Sequence, residues 1–405
     1  MTAGHLSTCP RMLKAADALA WAGHSVRVVA TRFEPWAAAA DEDVRARRSW
    51  RVSVIDRGRR SGAITYWRSG IRQRTARAAA SWLGPERAPI SVAVRAYARL
   101  HSEFVSAALS ERADLFYGGT SATLAAVADA AERQGVPYAL DLEDFHSAES
   151  EASDAEFTHA LAARVERAVF GRAAAITTSS APIAWAYHAR YGIAPRVVSN
   201  TFPLPSAPPD FARRPGPLRL YWFSQTIGPG RGLEDAISAA GRADIDAELH
   251  LRGTPKNGYL AALEQIRSAR APRLSIVPHP PAPPDAMVDL ARGYDVGLAL
   301  EQMTVLNHQL ALSNKALTYI LAGVAVALTD TPGQRVLGAD LGSDRGLVPP
   351  GDIDALTALF ARWAADPDAL LDAKHAAWAA AVRRWHWEHD EDRGALCALV
   401  KEIVG

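Results

Sequence analysis

The segment ALSNKALTYILAGVAVALTDTPGQ, residues 311–334, sets a polar triplet before an apolar helical pattern, then a glycine, a short apolar run and an Asp-Thr-Pro-Gly turn. Ala316, Leu317, Ile320 and Leu321 recur at helical spacing, whereas 324–328 is a continuous apolar run of the kind buried on both faces of a parallel sheet. Helix, single-glycine turn and buried strand together make half of a β/α unit. Ser313, Asn314 and Lys315 stand where a helix N-terminus leaves backbone N–H groups unpaired, which is a ready anion site. The helix dipole opposes a lysine in the first turn unless an anion lies there too.

The same rhythm runs outward in both directions. Strand candidates are 25–30, 51–56, 114–119, 137–142, 174–179 and 195–200 in the first half, with helices such as 10–22 and 121–134 between them. Six prolines between residues 201 and 217 cannot be helix and suit a linker. The pattern restarts with strands at 218–225, 247–253, 273–279, 296–301 and 324–330. An α/β fold of two Rossmann-like domains facing an interdomain cleft is expected: 1–205, 206–380, and a C-terminal helix over 381–405 packing back on the first domain.

At 405 residues the chain exceeds what one core usually organises. Its 45 basic and 44 acidic side chains leave a formal net charge of +1, so no global field points to nucleic acid, and no nucleic-acid partner is expected. Two cysteines, Cys9 and Cys397, are too few for a disulfide framework and fit a reducing cytoplasm. No uninterrupted apolar run reaches about 18 residues. A cytoplasmic setting is expected, with peripheral contact at the inner membrane face as its variant.

Ligands of open α/β sheets bind beyond the carboxyl ends of strands. The first such loop of the second half, within SQTIGPGRGLEDAI (224–237), starts at Ser224 and carries Gly228, Gly230 and Gly232, which let the backbone approach a ligand, and Arg231, which can reach a phosphate. Residue 233 is Leu, so the dinucleotide fingerprint G-x-G-x-x-G is absent. Arg231 from one side and Ser313, Asn314 and Lys315 from the other could surround a diphosphate. An ordinary glycine turn with an exposed arginine, an N-cap serine and a solvated lysine is the alternative on these residues alone.

SNKALTYILAGVAVALTDTPGQ resembles the donor-binding segment of glycosyltransferase family four enzymes of GT-B fold, which read approximately S-x-K-x-x-E-Y-x-x-x-G-x-P-V-V there. YWFSQTIGPGRGLEDAI is similar to the first strand and phosphate loop of their donor domain, HLSTCPRMLKAADALAWAGHSVRVVA to their N-terminal glycine-loop helix and second strand, and RRWHWEHDE to their returning C-terminal helix. The resemblance implies a nucleotide-diphosphate sugar held by the second domain, an acceptor held by the first, and retaining transfer without a metal. Arg231 and Lys315 would neutralise the diphosphate, and Ser313 with nearby N–H groups would bond its oxygens.

Departures accompany the likeness. Thr318 replaces the glutamate that holds the ribose, and Leu310 falls where its companion glutamate would touch the sugar, so sugar recognition is expected from Glu301, Asn307 or His308. The family's opening strand precedes the glycine loop, yet this sequence begins directly at MTAGHLST; a start assigned downstream or a remodelled sheet edge is expected. In ALDLEDFHSAES (139–150), strand-end Asp141, Glu143 and Asp144 precede His146, which suits acceptor activation or sugar-hydroxyl contacts; capping of the next helix is the alternative. HWEHDE (386–391) reads as a solvated helix face rather than a metal site, and no metal is expected. Residues 57–77 hold seven arginines, no acid and two aromatics; they read as a solvated loop between β/α units, or as a contact to an anionic acceptor or membrane surface.

The expected activity is sugar transfer to an unidentified small-molecule, glycan or lipid-linked acceptor in polysaccharide, glycolipid or secondary-metabolite biosynthesis. A GT-B nucleotide-sugar epimerase and a catalytically silent nucleotide-sugar-binding partner are the alternatives. The donor's base is open.

Overall fold

The computed structural model describes residues 1–149, 154–212, 215–342 and 344–405; Ser150, at the end of the acidic stretch, and Arg213 and Arg214 of the proline-rich segment lie outside them. The chain divides into two compact units, Met1–Ser199 with Asp390–Gly405, and Asn200–His389.

In the second unit six strands, β7 (Leu218–Ile227), β8 (Ala247–Pro255), β9 (Leu274–His279), β10 (Val296–Ala299), β11 (Ala325–Thr329) and β12 (Leu347–Val348), form one parallel sheet in the order β9-β8-β7-β10-β11-β12; the first unit contributes β1 to β6, given below. Counted from β7 this is the doubly wound order 3-2-1-4-5-6, whose direction of winding reverses between β7 and β10. Side chains alternate along β7: Leu218, Leu220 and Trp222 enter one core with Phe360 and Trp363, while Tyr221 enters the other with Tyr319, Leu328 and Trp385. Burial on both faces explains why these strands read as continuous apolar runs.

In the first unit β1 (Arg27–Arg32) pairs with β2 (Arg51–Asp56), and β3 (Phe116–Gly119), β4 (Tyr138–Leu142), β5 (Ala175–Thr178) and β6 (Arg196–Val197) form a second parallel set. Residues 1–4 run between the two sets. Thr2 N–H donates to Val29 O, Thr31 N–H to Gly4 O, and Gly119 N–H to Met1 O, at 3.0, 3.2 and 3.1 Å. Residues 1–4 thus link the two sets through backbone hydrogen bonds. Next to them, at the edge where the strands begin, is a cavity of about 390 Å³ lined in part by Met12, Leu19, Val28 and Phe116.

Two readings of the sequence are corrected. Residues 57–77 are not chiefly a loop, because Ala63–Leu83 form a 21-residue helix whose small residues Ser69, Gly70, Ala76 and Ala80 are buried, the alanines in a cluster with the Ile90–Tyr97 helix. Residues 386–391 are not a solvated helix face: Trp387 N–H donates to Phe202 O and Leu204 N–H to Glu388 Oε2, both at 2.9 Å, so this stretch pairs with the proline-rich segment instead. No helix among the described residues is long and apolar enough to cross a membrane.

Candidate active site

Three chain segments meet where the second sheet reverses its winding. After β7 the loop turns through Gly230 and Gly232, both left-handed at φ 75° and 70°, into the Leu233–Arg242 helix. Glycine is required at 232 for a second reason, since a Cβ there would lie 2.7 Å from Leu300 O. After β10 the chain places Glu301, and the Asn314–Leu321 helix starts at Ser313.

Glu301 is the hub. Lys315 Nζ lies 2.7 Å from its Oε1, Arg231 Nη1 3.6 Å from its Oε2, and Ser313 Oγ donates to Oε1 at 3.1 Å. Burial opposes the carboxylate's charge, but Lys315, with its hydrogen bond, and then Arg231 outweigh it and hold the pKa down at about 2. Lys315 also lies 5.8 Å from the centroid of the buried Trp222 ring. Because Ser313 points at Glu301, it makes no side-chain cap on its own helix, leaving the first N–H groups uncapped by it. Two cations and a helix N-terminus thus converge on one buried anion. A diphosphate arriving here would find positive charge already fixed in place, with one carboxylate setting its geometry.

The helix that carries Lys315 is locked to the sheet. Tyr319 Oη donates to Tyr221 O at 3.1 Å, and its ring covers Gly297 so closely that a Cβ there would lie 2.2 Å from it. Gly323, at φ 65°, closes the helix while Val324 N–H donates to Tyr319 O, and Gly333 lets the following turn approach Leu310 and Ala311.

The other expected donor-site residues distribute as follows. Asn314 Oδ1 accepts from Asn200 Nδ2 at 3.0 Å; Thr318 is buried and its Oγ1 donates to Asn314 O at 2.9 Å; Asn307 is buried on the Leu306–Leu310 helix. Ser224 lies within β7, where Gly253 of β8 approaches its carbonyl. Gly228 faces Lys256, whose side chain would be 2.9 Å from a Cβ there. Lys256, just past β8, is a third cation at the glycine loop, and nothing in its local sequence marks it.

In the first unit, the end of β4 carries a separate charged group. Asp141, almost fully buried, accepts Nε and Nη2 of Arg11 at 2.7 Å each and Thr177 Oγ1 at 2.6 Å. Burial, then Asp144, pushes the Glu143 carboxyl up to about 7, and burial, then Arg11, pushes Lys14 down to about 7. His146 Nδ1 lies 3.1 Å from Glu149 Oε2, and its backbone N–H donates to Tyr187 Oη at 3.1 Å. Burial alone would depress the imidazole, but the Glu149 bond and charge raise it to about 9. Its buried Nε2 has no partner among the described residues.

No protein-family model matches the chain, and no curated protein matches it. Solved structures do. Anabaena Alr3699/HepE in complex with UDP superposes with a TM-score of 0.66 at 15% identity, covering 99% of this chain and 97% of that one. Sucrose-phosphate synthase (tll1590) from Thermosynechococcus elongatus gives 0.68 at 13%, covering 97% and 91%, and a glycosyltransferase from Rickettsia africae ESF-5 gives 0.62 at 8%, covering 100% and 96%. With parallel α/β sheets in both units and a match over nearly the whole of each chain, this protein has the GT-B fold.

Proposed function

We propose that the chain is a glycosyltransferase that moves a sugar from a nucleotide-diphosphate sugar to an acceptor, with retention of anomeric configuration and without a metal, in polysaccharide, glycolipid or secondary-metabolite biosynthesis. The observation that carries the proposal is the convergence of Arg231, Lys315 and the uncapped start of the Asn314–Leu321 helix at the point where the second sheet reverses its winding. As the sugar–phosphate bond breaks, negative charge grows on the diphosphate and the sugar becomes oxocarbenium-like. Fixed cations and N–H groups there lower the barrier because they need not reorganise. The first unit's Glu143 and His146 are assigned to the acceptor. HepE, similar in fold, was crystallised with UDP and with UDP-glucose, which supports a nucleotide sugar as ligand and puts UDP first among the bases to test.

A thermal-shift panel of UDP, GDP, ADP and dTDP with their glucose conjugates tests it, since a ligand that binds only the folded state raises stability by RT ln(1 + [L]/Kd). Stabilisation by one nucleotide, followed by sugar transfer to an acceptor from the matching donor, is the expected result. Silence across the panel overturns the proposal.

One observation favours a second reading, a nucleotide-sugar-binding partner without turnover. Thr318, where the resemblance expects a ribose-holding glutamate, is 1% exposed and spends its hydroxyl on Asn314 O. Donor binding with neither transfer nor hydrolysis would select it, and Thr318→Glu would then tighten donor binding.

A further inference from the structure

The Ala63–Leu83 helix is inverted relative to an ordinary surface helix. Its buried face is made of Ser69, Gly70, Ala76 and Ala80, and its large apolar side chains point outward. Ile64, Trp67, Ile71 and Trp82 are exposed by 75%, 56%, 57% and 85%. At about 100° per residue these four, with Ala78, share an arc of roughly 60°, and Arg74 and Arg68 flank it on either side. The stripe runs nearly the length of the helix, about 30 Å at 1.5 Å per residue. Residues 57–85 contain seven arginines and no acid.

These arginines divide by role. Arg57 stacks 3.8 Å from the Phe33 ring centroid, Arg72 pairs with Glu103 and Arg77 with Asp154, both at 2.5 Å. Among the described residues, Arg60, Arg68 and Arg74 have no ion pair. Arg59 bonds Tyr66 Oη at 3.2 Å; on the helix itself the unpaired Arg68 and Arg74 border the apolar stripe, while Arg72 and Arg77 hold the helix to its unit.

We propose that this helix face docks the protein on an anionic lipid bilayer, with Ile64, Trp67, Ile71 and Trp82 entering the headgroup boundary and Arg60, Arg68 and Arg74 meeting lipid phosphates. A bilayer fits the pattern better than other occupants do. Tryptophans near both ends of an aliphatic stripe, rimmed by arginine and free of acids, match the layered polarity of the lipid interface. A second copy seated symmetrically on the same face would set uncompensated arginines against each other. A nucleic acid would gain nothing from the two isoleucines. The inference rests on this face alone and is independent of the sugar-transfer chemistry.

Flotation of the full chain with vesicles tests it. The protein is expected to float with phosphatidylcholine vesicles containing phosphatidylglycerol and to stay behind with phosphatidylcholine alone. Arg68→Gln and Arg74→Gln should each lower the partition about fivefold. Trp67→Ser with Trp82→Ser should abolish it while the fold persists, since Trp82 is 85% exposed and Trp67, 56% exposed, gives up only its edge contact with Tyr66. In the unsubstituted chain, brominated lipid in the anionic vesicles should quench tryptophan emission, a readout that needs no variant. Failure to float with anionic vesicles overturns the proposal, as does flotation indifferent to all four substitutions. A dimer dispersed by the tryptophan pair, without lipid binding, would assign the face to a second copy instead.

Discussion

Arg231 and Lys315 act on different oxygens of one carboxylate, so removing either leaves the other still paired with Glu301. Arg231→Ala and Lys315→Met should each weaken nucleotide-diphosphate binding about ten- to a hundredfold, the range for a hydrogen bond to a charged group; titration calorimetry reads this directly, and unchanged affinity in both would remove the diphosphate from this site. Glu301→Gln keeps the shape and deletes the counter-charge. It should tighten binding of inorganic pyrophosphate, because two cations then act without an internal anion, and it should lower the stability of the empty protein. The sign of the pH effect follows from a carboxyl held at about 2 against an ordinary 4.5: its contribution is complete above pH 4.5 and is lost as pH falls through 2. Acid unfolding of Glu301→Gln should therefore differ from the parent above that window and converge with it below. His146 runs the opposite way. Its imidazole is raised from 6.5 to about 9, so its contribution is complete below pH 6.5 and disappears as pH rises through 9. His146→Ala should erase that alkaline slope in pH-dependent melting, and a slope that survives would place the titration elsewhere.

Between residue and fold stands the packing of single elements, which decides what could be read in advance. The β strands were legible because parallel strands buried on both faces leave uninterrupted apolar runs such as those at β7 and β11. The placement of Ser313 and Lys315 at a helix start was legible for a related reason, since a polar triplet directly before an apolar helical pattern marks that start. The Ala63–Leu83 helix was not, because its contact with the unit uses Ser69, Gly70, Ala76 and Ala80, leaving no inward apolar stripe to detect. Lys256 was equally hidden: only the pairing of β8 with β7 brings it to Gly228. Tyr319 reads locally as one more apolar helix residue, yet it fixes the helix that carries Lys315. Gly297→Ala drives a methyl into the Tyr319 ring, and overpacking of this kind costs about 1–3 kcal/mol. Tyr319→Phe keeps the ring and removes the hydroxyl's bonds to Tyr221 O and Leu298 O, costing about 1 kcal/mol. Denaturant unfolding should order the two variants in that way, and Gly297→Ala should also weaken donor binding by moving Lys315.

At the scale of the whole molecule, charge is nearly balanced, +1 over 405 residues, so long-range attraction cannot explain affinity for any anion. Both anion-binding surfaces inferred above must act through local arrangement, and they differ in depth. Lys315 and Glu301 are largely withdrawn from solvent, with side-chain exposures of 12% and 8%, whereas Ile64, Trp67 and Trp82 stand in water with Arg68 and Arg74 beside them. Salt separates the two cases, because the screening length falls from about 10 Å at 0.1 M to about 3 Å at 1 M and acts mainly on exposed charges. Raising salt over that range should release the protein from anionic vesicles while reducing nucleotide affinity far less. Measuring both on one preparation gives each outcome a meaning. If nucleotide affinity collapses along with flotation, the diphosphate is held by exposed charge and the Arg231–Glu301–Lys315 arrangement around the buried carboxylate is not its site. If flotation survives high salt, the apolar stripe rather than the arginines dominates docking, and neutral bilayers should then capture the protein as well.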